Sequence, residues 1–399
     1  MEIKRRGFIL SSLATGLMGC SMKNAPQSTD EFLDGIIRNG AMAGLVMLVA
    51  RDGKLIYQTQ KGFKDAEKTT PINYDDNFRY ASLSKLFINT AILRLFEMGK
   101  LRLEQNIRDF LPNFAPKLLD GKTPTITISH LLTHSAGLNY CFNPHDNSDY
   151  CKAGVSSGLD SSEISLDENL KRIANAPLSF QPGTSWQYSV ANDVLGAAIE
   201  KIMGKNLGAA IDELINQPLG LKSPTFVANP NSINPVFYRK DNQLKLMDGE
   251  TIVRNADDDI SFDTNRIYNK NAFPSGGAGM GGNAPDFLKL LEAIRIGDFI
   301  NPETRKIAKN PIIKENSNYF EPGWGFGYLF SNLINPKKAN LNFGRNSVCW
   351  GGVYGHIWLI DFENKLSFAF LSNTVFQATS IGFKQALFSN ISSNFTAPN

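Results

Sequence analysis

Tyr80-Ala81-Ser82-Leu83-Ser84-Lys85 is the stretch on which the reading of the fold turns. Behind it Leu83, Leu86, Phe87, Ala91, Leu95 and Met98 recur at helical intervals, which predicts a largely buried helix with Ser82 at its start. Ser82 and Lys85 are three residues apart, so both project from one helix face with Cβ atoms about 5–6 Å apart. A lysine that burial keeps neutral part of the time can take a serine proton, and Ser-x-x-Lys is the spacing of such a pair. A capping serine followed by a solvated lysine has the same spacing. The rest of the chain decides between the two.

The 399 residues, 42% hydrophobic and 11% aromatic, are enough for one large domain or two lobes with a folded core. Lys and Arg total 41 against 38 Asp and Glu, a net charge of +3, without a long block of one sign. That balance carries no footprint for nucleic acid. The four histidines, His130, His134, His145 and His356, are scattered, and no Cys/His spacing suits zinc. Neither a metal nor another cofactor is expected.

The first residues read as an export signal. Lys4-Arg5-Arg6 precedes a short apolar run from Phe8 to Met18, too short to span a bilayer, which takes about 20 apolar residues. Leu17-Met18-Gly19-Cys20 resembles a lipoprotein box cut before Cys20, and Arg5-Arg6-Gly7-Phe8 resembles the twin-arginine type, with the general export route as the alternative. Loss of residues 1–19 removes Glu2, Lys4, Arg5 and Arg6, a net of +2, and leaves a nearly neutral chain at +1. Residues 20–28 are polar and small, a tether. In an oxidising compartment Cys141 and Cys151, which flank one polar loop, are a disulfide candidate, and Cys349 is left over.

Along the chain, apolar Gly44 to Ala50 and Lys54 to Gln60 around Asp52-Gly53 predict a β-hairpin. The stretch Asn139 to Ser165 reads as an extended loop. Within it Gly154-Val155-Ser156-Ser157-Gly158 matches Gly-x-Ser-x-Gly, a pattern that needs a strand before it and a helix after it; neither flank qualifies. Helices are expected over Asp167 to Ala176, Asp193 to Met203 and Leu207 to Ile215. Ser223 to Asn271 shows no clean periodicity, and Asp257-Asp258-Asp259 lacks the glycine and spacing of a calcium loop. Glycine-rich Ser275 to Gly282 suggests close backbone approach beside a site. Strands follow at Trp324 to Phe330, Ser347 to Trp350, Gly355 to Ile360 and Leu366 to Leu371, then a helix from Ile381 to Phe388. Strands at both ends with helices between predict a sheet that joins the termini around an inserted, mostly helical lobe.

Taken together, several segments resemble the serine β-lactamase and penicillin-binding-protein superfamily, and within it the family VIII esterases, which are similar to class C β-lactamases. They are Ser82-Leu83-Ser84-Lys85, Ile128 to Leu138, Pro182-Gly183 leading to Tyr188-Ser189, Pro218-Leu219-Gly220-Leu221, Gly276-Gly277 before Ala284-Pro285-Asp286, and Gly323-Trp324-Gly325-Phe326-Gly327. Their order along the chain is the family order. The resemblance implies an α+β fold of the β-lactamase/transpeptidase type: an antiparallel sheet of about five strands in a lobe made of residues 29–110 and 285–395, with 111–284 inserted. It also implies Ser82 as acyl-accepting nucleophile, Lys85 as base, Tyr188 as proton relay, and the backbone N–H groups of Ser82 and Val353 as oxyanion hole.

Two departures separate this chain from the β-lactamases it resembles. Tyr188-Ser189-Val190 stands where they have Tyr-x-Asn, and Trp350-Gly351-Gly352 stands where they have Lys-Thr-Gly. Trp-Gly-Gly is a feature of the esterase group, so Trp350, Gly351, Gly352 and Val190 are the expected substrate-binding residues. The resulting expectation is a serine carboxylesterase acting on short to medium acyl esters, on the periplasmic side of a bacterial membrane and anchored there through Cys20. The alternatives are a β-lactamase, a D,D-peptidase, a D-amino-acid amidase, an acyltransferase, or a non-catalytic binder that keeps the pocket.

Overall fold

The computed structural model describes residues 27–254, 259–297, 299–316 and 318–396. The export signal, Cys20, most of the tether, Asp257 and Asp258 lie outside them.

The Gly44–Arg51 strand (β1) and the Lys54–Gly62 strand (β2) form the expected hairpin, and Asp52 and Gly53 both take positive φ, 49° and 78°. Such a turn matches the right-handed twist of its strands. β1 is buried on both faces because it also pairs with the last strand of the chain, with Val46 opposite Leu371. The chain's ends therefore close one sheet. Its other members are Pro311–Ile313 (β3), Trp324–Gly327 (β4), Phe330–Leu333 (β5), Val348–Gly352 (β6), His356–Asp361 (β7) and Leu366–Ser372 (β8), in the order β2-β1-β8-β7-β6-β5-β4-β3.

The sheet has eight antiparallel strands where about five were expected. The extra ones are short. Trp324 to Phe330 splits at a turn where Phe330 has φ 74°, and the three-residue β3 holds to the edge by Ile313 opposite Phe326. Neither segment is long enough to show an alternating pattern.

Alternation along β1 sends Val46, Leu48 and Ala50 into the larger core and Leu45, Met47 and Val49 to the opposite face. The larger core contains the Ser84–Glu97 and Ala284–Ile296 helices. On the opposite face the Thr29–Arg38 and Ile381–Phe395 helices cover the sheet with Leu33, Ile36, Leu387 and Ile391. Among the described residues no helix is long and apolar enough to cross a membrane.

The segment between the two parts of the sheet carries the expected helices at Leu166–Asn175, Ala191–Met203 and Leu207–Ile211. It also carries two hairpins, Val236–Lys240 with Gln243–Met247 and Glu250–Arg254 with Asp259–Asp263, in the stretch without periodicity. Most of their residues are not buried, and the one strand that alternates cleanly, Asp259–Asp263, is only five residues long. Asp241-Asn242, both at positive φ, was the legible turn signal. The disulfide candidate is a bond in the structure, Cys141 to Cys151, closing the polar loop.

Candidate active site

Ser82 sits in a short 3₁₀ turn, Ala81–Leu83, that runs straight into the Ser84–Glu97 helix. Ala81 has φ 45°, a costly backbone for a residue with a Cβ, and it aims the serine out of the core at the mouth of the helix. The turn is pinned by Tyr80 N–H donating to Met280 O (2.8 Å) in the glycine-rich stretch. Leu86, Phe87, Ala91 and Leu95 are fully buried as their spacing predicted, so the helix that carries the pair is fixed in the core.

Two polar groups converge on Ser82. The Tyr188 hydroxyl donates to its Oγ at 2.8 Å, and Lys85 Nζ lies 3.3 Å from the same oxygen. Lys85 is 1% exposed. The same Nζ also donates to Gly277 O (2.6 Å) and lies 4.8 Å from the centre of the Tyr188 ring. The Trp350 indole N–H points at the Tyr188 oxygen from 3.4 Å. Among the described residues the backbone N–H groups of Ser82 and Val353 have no acceptor, which is the state an oxyanion hole needs before charge develops.

Residues that the sequence did not single out complete the polar shell. Asp193 Oδ1 accepts from Ser275 Oγ (2.7 Å) and from Gly277 N–H (3.2 Å), holding the peptide whose carbonyl takes Lys85. Burial raises the Asp193 carboxyl above the usual range, against those hydrogen bonds and the nearby Lys85 charge. Tyr140 packs 5.4 Å from Tyr188, and burial, followed by the charges of Tyr188 and Asp193, pushes its phenol well up. His134 lies 4.8 Å from the Tyr188 ring and its Nδ1 meets Ser189 Oγ at 3.2 Å. Burial and then Lys85 hold that imidazole well below its ordinary range, so it is a neutral wall rather than a base. Asp193 opens a helix and Tyr140 adjoins Cys141 in a polar loop; neither position looks catalytic in one dimension.

The cavity over Ser82 measures about 360 Å³. Trp350, Gly351 and Val353 line it; Val190 and Gly352 do not. Val190 is fully buried where its backbone begins the Ala191–Met203 helix, so its side chain points into the core and not toward a substrate. Gly352 backs onto the Tyr80 carbonyl, which a Cβ would meet at 2.7 Å; its role is packing behind the nucleophile. Ser156 is buried with its hydroxyl donating to Asp160 (2.7 Å), outside the cavity wall. No strand precedes Gly154-to-Gly158 and no helix follows at once.

A fold that closes its termini in one antiparallel sheet, with a serine, a lysine and a tyrosine meeting at the head of a buried helix, matches one family model. Residues 27–382 match the Beta-lactamase family, and the chain belongs to it. Within that family it stands with the carboxylesterases. It is 40% identical to Esterase EstB of Burkholderia gladioli over 362 residues, 88% of this chain and 91% of that one. Its structure superposes on EstCE1, a hydrolase with promiscuous acyltransferase activity, with TM-score 0.86 and 32% identity, covering 90% of this chain and 96% of that one. Simvastatin synthase (LovD) of Aspergillus terreus, at 20% identity, TM-score 0.71 and coverage of 91% and 97%, shares the fold.

Proposed function

We propose that this protein hydrolyses carboxylic esters of short to medium acyl groups through an acyl-enzyme on Ser82. The observation that carries the reading is the convergence of Tyr188 Oη and Lys85 Nζ on Ser82 Oγ, at 2.8 and 3.3 Å. With Lys85 neutral, Ser82 gives its proton to Nζ as Oγ bonds to the ester carbonyl carbon, and the carbonyl electrons move onto an oxygen held by the N–H groups of Ser82 and Val353. On collapse the C–O bond to the alcohol breaks, Tyr188 protonates the departing oxygen, and the Lys85 ammonium restores the Tyr188 proton. Water then repeats the steps in reverse order and frees the acid. Tyr188 and Lys85 thus share the task that imidazole performs in a Ser-His-Asp site.

Trp350 supports esters over β-lactams. A β-lactam carries a carboxylate that a cation beside the nucleophile would hold, and a hydrogen bond to a charged group contributes about 1.5–3 kcal/mol. An indole at that place forfeits about one to two orders of magnitude in kcat/KM. The test is the ratio of kcat/KM for p-nitrophenyl butyrate to that for a chromogenic cephalosporin. It is expected to exceed about a hundredfold; a cephalosporin turned over as well as the butyrate would replace this reading with a β-lactamase or peptidase. The likeness to EstCE1 adds transfer to an alcohol in place of water as a second reading, favoured by the apolar aromatic walls of the cavity, Trp186, Tyr319 and Phe320. We further propose that the protein is exported and anchored through a lipid on Cys20, supported by Leu17-Met18-Gly19-Cys20.

A further inference from the structure

The cavity over Ser82 does not end at Trp350. β6 pairs with β5 only where Cys349 faces Ser331 and Val348 faces Asn332, and from Trp350 onward that edge has no strand beside it. Trp350 belongs to the larger core, whereas Cys349 and Ile357 belong to the opposite face. The cavity passes around the open edge from one face to the other, and its far wall is Ser331, Cys349, Ile357, Thr379 and Lys384. At Gly351 a Cβ would meet the His356 carbonyl at 2.7 Å and the Thr379 methyl group, which lines this wall, at 3.3 Å.

Lys384 reaches this arm from the first turn of the Ile381–Phe395 helix. Its ammonium is 3.2 Å from Glu321 Oε1 and lies over the rings of Trp324 and Phe388, at 5.2 and 5.7 Å. Aromatic faces hold a cation without accepting its N–H groups in line. An ammonium has three donors and Glu321 takes one. The Ser331 hydroxyl lines the same wall, and burial pushes the Cys349 thiol up to about 12, so it keeps its proton. Two Lys384 donors are left over from the Glu321 pair, Glu321 lines the same arm and balances the charge until a ligand competes with it, and 20% of the Lys384 side chain remains open. The arm is made for an acceptor, and with an ammonium in it, for an anionic one.

Which half of an ester enters follows from Tyr188. Its hydroxyl lies between Ser82 Oγ and the Trp350 indole, so the oxygen it protonates, and the alcohol beyond, lie on the Trp350 side. The other side of the cavity, beside Val353, is apolar, with Phe142, Leu159, Ile260 and Phe376, and suits the acyl group.

We propose that the arm behind Trp350 is the alcohol subsite and that it takes an alcohol ending in a carboxylate, so that esters of ω-hydroxy acids are the preferred substrate class. This rests on ester hydrolysis at Ser82. The experiment compares ω-acetoxy acids of increasing chain length with the matching alkyl acetates, reading acetate release for the wild type, Lys384→Met and Glu321→Gln. At the chain length that fits, the acid-to-alkyl ratio of kcat/KM falls about tenfold in Lys384→Met. It rises in Glu321→Gln, which frees the ammonium, and that variant carries the test if Lys384→Met does not fold. A ratio that is the same in all three at every length overturns the proposal. So does a Lys384-dependent preference for a carboxylate on the acyl side, read with p-nitrophenyl half-esters of dicarboxylic acids. Calorimetry on Ser82→Ala with free ω-hydroxy acids separates the two readings. Lys384-dependent binding without turnover of any ester would sink the esterase reading and keep the subsite; turnover of alkyl acetates without Lys384 dependence would do the opposite.

Discussion

Tyr188→Phe separates the chemistry of the site from its packing. The phenylalanine ring keeps the contacts with His134, Trp350 and Tyr140, whose centres lie 4.8, 5.2 and 5.4 Å away. What is lost is one oxygen, with its 2.8 Å bond to Ser82 and the 3.4 Å approach of the Trp350 indole. The stability cost is that of a half-buried hydrogen bond, about 1 kcal/mol. A general acid positioned in the transition state contributes between about a hundredfold and ten-thousandfold, or roughly 3 to 5 kcal/mol of barrier. The loss depends on the leaving group, which makes the assay decisive. An alkoxide needs the Tyr188 proton and a nitrophenolate departs without it, so ethyl butyrate should lose at least about tenfold more kcat than p-nitrophenyl butyrate. KM should change little. A folded Tyr188→Phe variant that loses less than about tenfold on the alkyl ester, or equal factors on both, refutes the assignment of Tyr188 as the acid.

Two other outcomes can be checked, one from the buried histidines and one from the N-terminal sequence. His356 is fully buried, its Nε2–H donating to Arg79 O (2.7 Å) and its Nδ1 accepting from Ser372 N–H (3.2 Å), and burial lowers it to about 4. Because the unfolded chain binds that proton near pH 6.5 and the folded one near pH 4, stability is full above pH 6.5 and falls by about 3 kcal/mol on acidification to pH 4. Denaturant titrations of wild type and His356→Gln across that window check it, and an equal slope in both removes His356 from the account. His134, also held neutral by burial, adds to the slope in the same direction. Wild-type protein should partition into detergent-extracted membranes and Cys20→Ala should not; wild type found soluble with Met1 retained rejects the anchor.

How much of this was legible in the chain differs from residue to residue, and the reason is range. Ser82 and Lys85 are three residues apart on one helix, so their meeting is a local consequence of helical geometry. Tyr188 and Trp350 lie 106 and 268 residues from Ser82, and only their place in a family order brought them to the site. Asp193, Tyr140 and Lys384 belong to no short motif; each is placed by a fold-level contact, with Gly277, Tyr188 and Glu321 respectively. Val190 was named because it stands where the β-lactamases carry the Asn of Tyr-x-Asn, whereas the chain turns into a helix there and buries it. The two hairpins between 236 and 263 escaped because short strands with few buried residues do not alternate strongly.

The central claim is that Ser82 becomes acylated. Brief exposure of the protein to p-nitrophenyl butyrate, quenched in acid and followed by intact mass and peptide mapping, should show a single butyryl adduct on the peptide containing Ser82. The adduct should be absent in Ser82→Ala and unchanged in Ser156→Ala. A butyryl group on Ser156, or full turnover by Ser82→Ala with no covalent adduct on any serine, would contradict it.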